Sequence, residues 1–377
     1  MKYLISAVVG FALMSGSLQA QVRGVKEVPY EIAPMVAPFE MQQLKRPEFP
    51  SREFNIRDFG AKEAGPQRSI KSTEAINNAI LEAHRCGGGK VIVPAGEWLT
   101  GPIHLLSNIN LHFAEGSKVF FSEDKEDYLP VVIQRYEGVE TYNYSPLIYA
   151  YRVRNAAITG KGVLDGQARH WLDWWSVQPR ATATRVPLSR RTNFGKGSGS
   201  EGMRPNFMVF WESEDVLVED VTVQNGPMWN IHLVYTNRAI VRGVTVNSVD
   251  SHNGDGIVVD SSRDILLEYN HLETGDDAIV LKSGFNEEGL EINIPTENVI
   301  IRNFSAYDVR TGSGGVVFGS ETSGGIRNVY VHDAHFERCD RGIRFKTARG
   351  RGNATENIYV RDITLKDITY EALNFNT

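Results

Sequence analysis

The stretch Asn253–Gly284, NGDGIVVDSSRDILLEYNHLETGDDAIVLKSG, decides how the rest of the chain is read. At its centre, Ile265-Leu266-Leu267 is an apolar run bounded by turn residues and too short for a helix, so it reads as a strand. Asp255 lies before it in N-G-D-G, and Asp276 and Asp277 lie after it in G-D-D. The two acidic clusters are therefore about one strand-and-turn unit apart. If that unit stacks on copies of itself, its turns stack as well, and three carboxylates share one small patch.

The unit does recur. Short apolar runs, each opened by a polar residue, begin at Asn108, Asn155, Asp215, Arg238, Asp264, Asn298, Asn328 and Asn357. From Asp215 on, the spacing is roughly 23–34 residues, inside the ~20–50 that marks stacked repeats. A second short strand follows most runs, as in Val221-Thr222-Val223, Val244-Thr245-Val246 and Ile363-Thr364-Leu365. Such a unit cannot bury its own apolar face, so its neighbours must do so. The expected fold is all-β, a parallel β-solenoid. Propeller blades are longer, and a β-sandwich needs closely spaced hairpin turns that are not evident here.

The flanks add context. Met1–Ala20 has a positive start, an apolar middle and a small-residue exit, the pattern of a secretory signal peptide cut after Ala20. Its apolar run is shorter than the ~20 residues of a membrane span, so a secreted or periplasmic protein without a membrane partner is expected. Residues 21–50 read as an extended arm, and the catalytic domain as 51–377. STEAINNAILEAH (Ser72–His84) has apolar residues at helical spacing, so a short helix is expected to cap the N-terminal end of the solenoid. Gly87-Gly88-Gly89 follows that helix instead of opening one, which argues against a phosphate loop. The end at Asn374–Thr377 comes soon after an apparent strand with no evident cap, so an exposed coil edge is expected there.

The chain has 377 residues and a formal net charge of -6, which does not favour nucleic acid. An acidic substrate would need a local basic patch. Only Cys86 and Cys339 are present, read as two buried free thiols, and no Cys/His cluster suggests a metal. No cofactor is expected, and the chain is expected to act as a monomer.

The repeat breaks at about 166–206, a segment that holds His170, Trp171, Trp174, Trp175, Arg180, Arg185, Arg190, Arg191 and Lys196. It reads as a long loop from one coil. Trp and Arg suit a sugar acid, through ring stacking and carboxylate pairing, while a surface flap with its own apolar cluster is the plainer account.

Four motifs carry a resemblance. Asn253-Gly254-Asp255-Gly256, Gly275-Asp276-Asp277, Ser313-Gly314-Gly315 and Arg344-Phe345-Lys346 follow one another in order. Over residues 54 to 377 the chain resembles the pectin-degrading glycoside hydrolases that include the polygalacturonases, glycoside hydrolase family 28, and in particular bacterial exo-type members. Those show N-T-D-G, G-D-D, G-H-G and R-I-K in that order on one face of a right-handed parallel β-helix. The third motif departs, with Ser313 where the family has histidine, as in relatives that cut rhamnogalacturonan. The resemblance implies inverting hydrolysis of galacturonic acid bonds in pectin. Asp276 would be the general acid, Asp255 and Asp277 the bases that activate water, and Arg344 and Lys346 the binders of substrate carboxylate. Asn253, Ser313 and His252 join the expected substrate-binding set. Inversion implies carboxylates about 6.5–9.5 Å apart.

The residues support that chemistry independently, because crowded like charges raise the pKa of at least one carboxyl and so supply an acid. Asp-Gly and Gly-Asp-Asp are also ordinary turn chemistry; the pair one coil after Asp255 and the basic pair downstream favour a site. Asp260 reads as a turn residue, His232 as groove-lining or packed, and Glu321 as a residue that could point into the cleft, not counted in the site. Alternatives are a rhamnogalacturonan hydrolase, a calcium-dependent pectate lyase using the same acids as ligands, and a non-catalytic polysaccharide-binding solenoid. The inserted loop is expected to close one end of the groove, giving action from chain ends.

Overall fold

Every polar residue that opens a repeat has a left-handed backbone: Asn108, Asn155, Asp215, Arg238, Asp264, Asn298, Asn328 and Asn357 all lie at φ between 54° and 62°. Asn and Asp tolerate this conformation better than other non-glycine residues, which explains why they dominate the position. Their side chains also bond from coil to coil: Asn155 Nδ2 donates to Asn108 Oδ1 (3.1 Å), Asn298 to Asp264 (3.0 Å), Asn328 to Asn298 (3.1 Å) and Asn357 to Asn328 (3.2 Å). The turn fixes where each strand begins and so fixes the register of the stack.

The structure, a computed structural model, describes residues 28–175 and 203–376. The signal-like segment 1–20, residues 21–27 and most of the inserted loop, including Arg180, Arg185, Arg190, Arg191 and Lys196, lie outside the described residues. The fold is a right-handed parallel β-helix. Each full coil places two strand segments in a 16-stranded sheet and one in a nine-stranded sheet. In the middle coils the nine-stranded sheet takes Met208–Trp211, Ile231–Val234, Ile257–Asp260, Ile279–Lys282, Gly314–Gly319 and Arg341–Lys346, all paired in parallel.

Inward side chains form ladders. Ile257, Ile279, Val316 and Ile343 stack in register, as do Val259, Leu281, Phe318 and Phe345. Phe318, Phe345 and Phe375 are face to face with centroids 4.6 and 4.7 Å apart. Each buried aliphatic or aromatic side chain stabilises by about 1.5–3 kcal/mol, and a coil gains this only when a neighbour covers it. The helix Thr73–Arg85 covers the first coil by burying Ala75, Ile76, Ala79, Ile80 and Ala83. At the other end the last described strands expose Leu373 (55%) and Phe375 (67%).

Residues 28–50 have no regular secondary structure but are docked as a strap. Leu44, with Ile32, Met35, Phe39 and Phe49, packs on the outward stripe Ala157, Leu217, Ile240, Leu266 and Ile300. Arg46 pairs with Glu219, while Arg242 donates to Pro29 O (2.6 Å) and Arg302 to Ala33 O (3.0 Å).

Several expectations change. An antiparallel hairpin, Val132–Tyr136 with Val139–Asn143, crosses the nine-stranded sheet, although no hairpin was legible at coil level. Its turn, Glu137-Gly138, between alternating Ile133/Arg135 and Val139/Thr141, is the local signal. Cys86 is exposed and only Cys339 is buried. Trp171, on the helix Ala168–Trp175, is fully buried edge-on against Tyr128 at 5.4 Å, so it packs in the core and does not stack on a ligand.

Candidate active site

The acids come together because of two glycines. A Cβ on Gly275 would lie 2.3 Å from Ser251 O, and one on Gly256 would lie 2.4 Å from Ala278 O. With hydrogen there, the N-G-D-G turn and the G-D-D turn of the next coil touch. Asp255, Asp276 and Asp277 then each offer a carboxylate oxygen within 4.8 Å of the others. These oxygens approach more closely than the spacing expected of an inverting pair. The reason is that stacked coils repeat at about 4.7–4.9 Å, and Asp276 and Asp277 are adjacent in the chain.

The three differ in surroundings. Asp276 is half-buried. Its Oδ1 accepts from Ser313 Oγ (2.7 Å) and Asp277 N (2.9 Å), while Oδ2 receives only a long contact from Asn253 Nδ2 (3.5 Å). Asp277 is buried, accepts from Gly314 N (3.2 Å) and stands 3.7 Å from Lys346 Nζ. Asp255 is buried, and its Oδ1 is enclosed without a hydrogen-bond partner. Burial, reinforced by Asp276, pushes the Asp255 carboxyl well above the usual range. Burial also raises Asp277, with Lys346 pulling it back. The trio can therefore hold a proton and a carboxylate at once. Its oxygens are also close enough to share a hard cation, with the Lys346 ammonium beside them as a competitor.

Asn253 Oδ1 and His252 O both accept from Arg204, at 3.0 and 2.7 Å, so this buried arginine locks the N-G-D-G turn. His252 itself is exposed and enters the site through that carbonyl. Arg344 and Lys346 alternate with inward Phe345 and so share the outward face; Arg344 Nη1 donates to Gly312 O (2.8 Å). Of the other arginines in that stretch, Arg341 pairs with Glu371 (2.7 Å) and Arg349 is exposed.

The buried residues Arg204, Lys282 and Arg135 escaped the sequence reading of the site. Arg204 follows the inserted loop and carries no signal. Lys282 and Glu321 form an ion pair of 2.7 Å, both buried. Asp260 is not a turn residue: it ends the strand Ile257–Asp260, fully buried, and takes Arg135 Nη1 at 2.6 Å. Burial would raise its carboxyl, but the guanidinium outweighs that and holds it below the usual range. His232 is also fully buried, 3.5 Å from Asp260, and burial lowers its pKa; it is packed, not groove-lining.

A cleft of about 600 Å³ lies on an adjoining turn face, lined by Arg152, Arg154, Glu212 and Glu214 among others. These four charges pair with each other, Arg152 with Glu212 at 2.7 Å and Arg154 with Glu214 at 3.5 Å.

The sequence profile of glycosyl hydrolases family 28 matches residues 90–373, most of the chain. The chain belongs to this family. A protein of Vitis vinifera described as a probable polygalacturonase is 31% identical over 323 residues, covering 83% of this chain and 60% of that protein. An exo-poly-alpha-D-galacturonosidase of Dickeya chrysanthemi is 24% identical over 348 residues, covering 85% and 56%. The chain thus spans less than two thirds of these two relatives. Among solved structures, a hyperthermoactive exopolygalacturonase from Thermotoga maritima superposes with a TM-score of 0.81 at 38% identity, covering 88% of this chain and 77% of that one. Within this family-28 chain the N-G-D-G and G-D-D turns lead into Ile257–Asp260 and Ile279–Lys282 of the nine-stranded sheet, and R-F-K lies in its strand Arg341–Lys346. No helix among the described residues is long and apolar enough to cross a membrane.

Proposed function

We propose that the chain hydrolyses the α-glycosidic bonds of galacturonic acid in pectin, with inversion, from chain ends. The observation that carries this is the carboxylate trio with Lys346 3.7 Å from Asp277 and Arg344 on the same strand face. Acids alone would serve many sugars; acids beside an ammonium and a guanidinium suit a sugar that is itself an acid.

Asp276, the half-buried member, delivers a proton from Oδ2 to the leaving oxygen. Asp255 and Asp277 draw a proton from the attacking water once they are deprotonated, which burial shifts to a pH above the usual carboxylate range for both. Arg344 and Lys346 hold the substrate carboxylate and Asn253 orients Asp276. Inversion rests on the family resemblance, against the wider spacing usual for inverting pairs, and the anomeric configuration of the first product, read by NMR, decides it.

The hairpin supports action from chain ends. Val132 and Ile133 pack on Tyr149, Val209, Trp211 and Val234, and Tyr136 joins Met203 and Trp229 on Val258, Val280 and Val317. Its tip is tied down by Phe285 N donating to Gly138 O (3.1 Å) and Glu288 accepting from Glu140 N (2.7 Å). The hairpin therefore covers the outward face from the coils before the acids, across the acid-bearing coils, to Val317 one coil beyond them, and narrows the space open to a polysaccharide. The inserted loop, expected to close one end of the groove, lies mostly outside the described residues. Export by way of the signal-like segment 1–20 fits a polymeric, extracellular substrate.

Product analysis on homogalacturonan beside rhamnogalacturonan tests the reading. Release of mono- or digalacturonate from homogalacturonan from the earliest times is expected. Cleavage confined to rhamnogalacturonan moves the assignment to that substrate, as Ser313 in the histidine position allows. An unsaturated, ultraviolet-absorbing product that depends on calcium replaces hydrolysis with lyase chemistry.

A further inference from the structure

Lys282 ends the strand Ile279–Lys282, five residues after Asp277, and is 4% exposed. Its Nζ donates to Glu321 Oε2 at 2.7 Å and stands 4.8 Å from the centre of the Trp229 ring. Stability alone is a poor reason for such a pair, because removing two charges from water costs as much as their attraction returns, and apolar side chains of similar size would often hold the fold as well. The position of the pair is more informative. Asp255 and Asp277 both feel the Lys282 charge, which opposes the effect of their burial. In return Glu321, Asp255 and Asp277 outweigh burial and keep Lys282 protonated.

We propose that Lys282, anchored by Glu321 against Trp229 and in the same outward register column as Lys346, is a positioning residue that supplies fixed positive charge beside the acid trio. Ser313, the neutral neighbour of Asp276, cannot supply it. Lys346 is partly exposed and available to bind a ligand, whereas Lys282, on the same outward face, is buried. Its charge is therefore present whether or not substrate is bound. This inference rests on the trio being catalytic.

The charges that face this group are few. Asp255 and Asp277 face each other's neighbour Asp276, together with Lys282 and Lys346. Glu321 faces Lys282, Lys346 and Arg351. Lys282 also acts on Asp260 and His232, whose charges Arg135 shares. Removing either member of the Lys282–Glu321 pair therefore changes the field at the trio with opposite sign.

The test is kcat/KM against pH on oligogalacturonides for wild type, Lys282→Met and Glu321→Gln, with a Tm for each. In Lys282→Met the base carboxylates keep their proton to higher pH, and the acidic limb moves up by about one unit, the low end of what a nearby opposite charge does. In Glu321→Gln the ammonium loses its nearest counter-ion and pulls harder on the trio, so the limb moves down. A merely structural pair would lower both Tm values and leave both limbs in place, which overturns the proposal, as do limbs displaced in the same direction. If Lys282→Met does not fold, the near-isosteric Glu321→Gln decides alone: a lowered limb supports the proposal and an unmoved one overturns it. A wild type without turnover on galacturonan defeats the substrate reading instead. In that event the carboxyl titrations of Asp255 and Asp277, followed by NMR in the same proteins, show whether the two opposite displacements occur.

Discussion

The Ser313 hydroxyl donates to Asp276 Oδ1 at 2.7 Å, and Asp277 N donates to the same oxygen at 2.9 Å. One oxygen of the half-buried acid is thus held by two donors, and the other is turned toward Asn253 and the groove. A carboxyl fixed in this way has one oxygen left for a proton and a defined direction in which to deliver it.

Asp276→Asn keeps both donors but has no proton to give. Turnover is expected to fall by about 10²–10⁴-fold, the usual range for a general acid, with an unchanged Tm. Ser313→Ala removes one donor to a charged group, worth about 1.5–3 kcal/mol, so kcat/KM should fall about ten- to a hundredfold. Steady-state kinetics with thermal melts checks both.

Asp255 predicts a conflict between activity and stability. Its folded pKa is raised, chiefly by burial, against about 3.9 in an unfolded chain. The folded state therefore holds the proton to higher pH, and stability is lost as pH rises from the unfolded value through the folded one. Asp255→Asn removes that loss. The variant should be inactive yet melt about 1–3 °C higher at pH 7, with the gain vanishing below about pH 4. Melting curves across pH check this; a lower Tm at pH 7 would contradict it.

Shortening the hairpin Val132–Asn143 to a tight turn should uncover the outward face that it packs on beside the acids. Early products should then shift from mono- or digalacturonate to mixed oligomers. Chromatography of the first few per cent of reaction reads the change.

Gly275→Ala should separate the two site coils. The added carbon would meet Ser251 O at 2.3 Å and Val249 O at 2.7 Å. Backbone atoms cannot give way as a flexible side chain does, so Asp276 and Asp277 must move away from Asp255. A loss of at least about 1–3 kcal/mol in stability and of nearly all turnover is expected, measured by denaturant unfolding and initial rates.

The repeat was legible because its chemistry is local. Asn or Asp at the start of each apolar run is required by a left-handed turn, so the residue type marks the coil in the sequence. The acid trio was legible for the same reason: consecutive coils place consecutive turns side by side. Lys282 and Glu321 were not legible, because each lies in a segment that reads as apolar strand or turn and they meet only across coils, 39 residues apart in sequence. Arg135 and Asp260, 125 residues apart, are a longer-range case of the same kind. Asp260 was misread because an Asp before Ser-Ser resembles a turn, and only the hairpin above it supplies the arginine that makes burial tolerable.

The strap gives the molecule a property that stacking alone does not. In a pile of repeats each coil touches only the next, so the pile can fray from an end one layer at a time. Glu48 O accepts from Asn155, Arg46 holds Glu219, Gln42 reaches Asp264, and the chain then doubles back so that Ala33 and Pro29 meet Arg302 and Arg242. Five successive layers are laced together by one segment, and none can loosen without straining the lacing on the others. Unfolding of this region is thereby converted from gradual peeling into a single cooperative event.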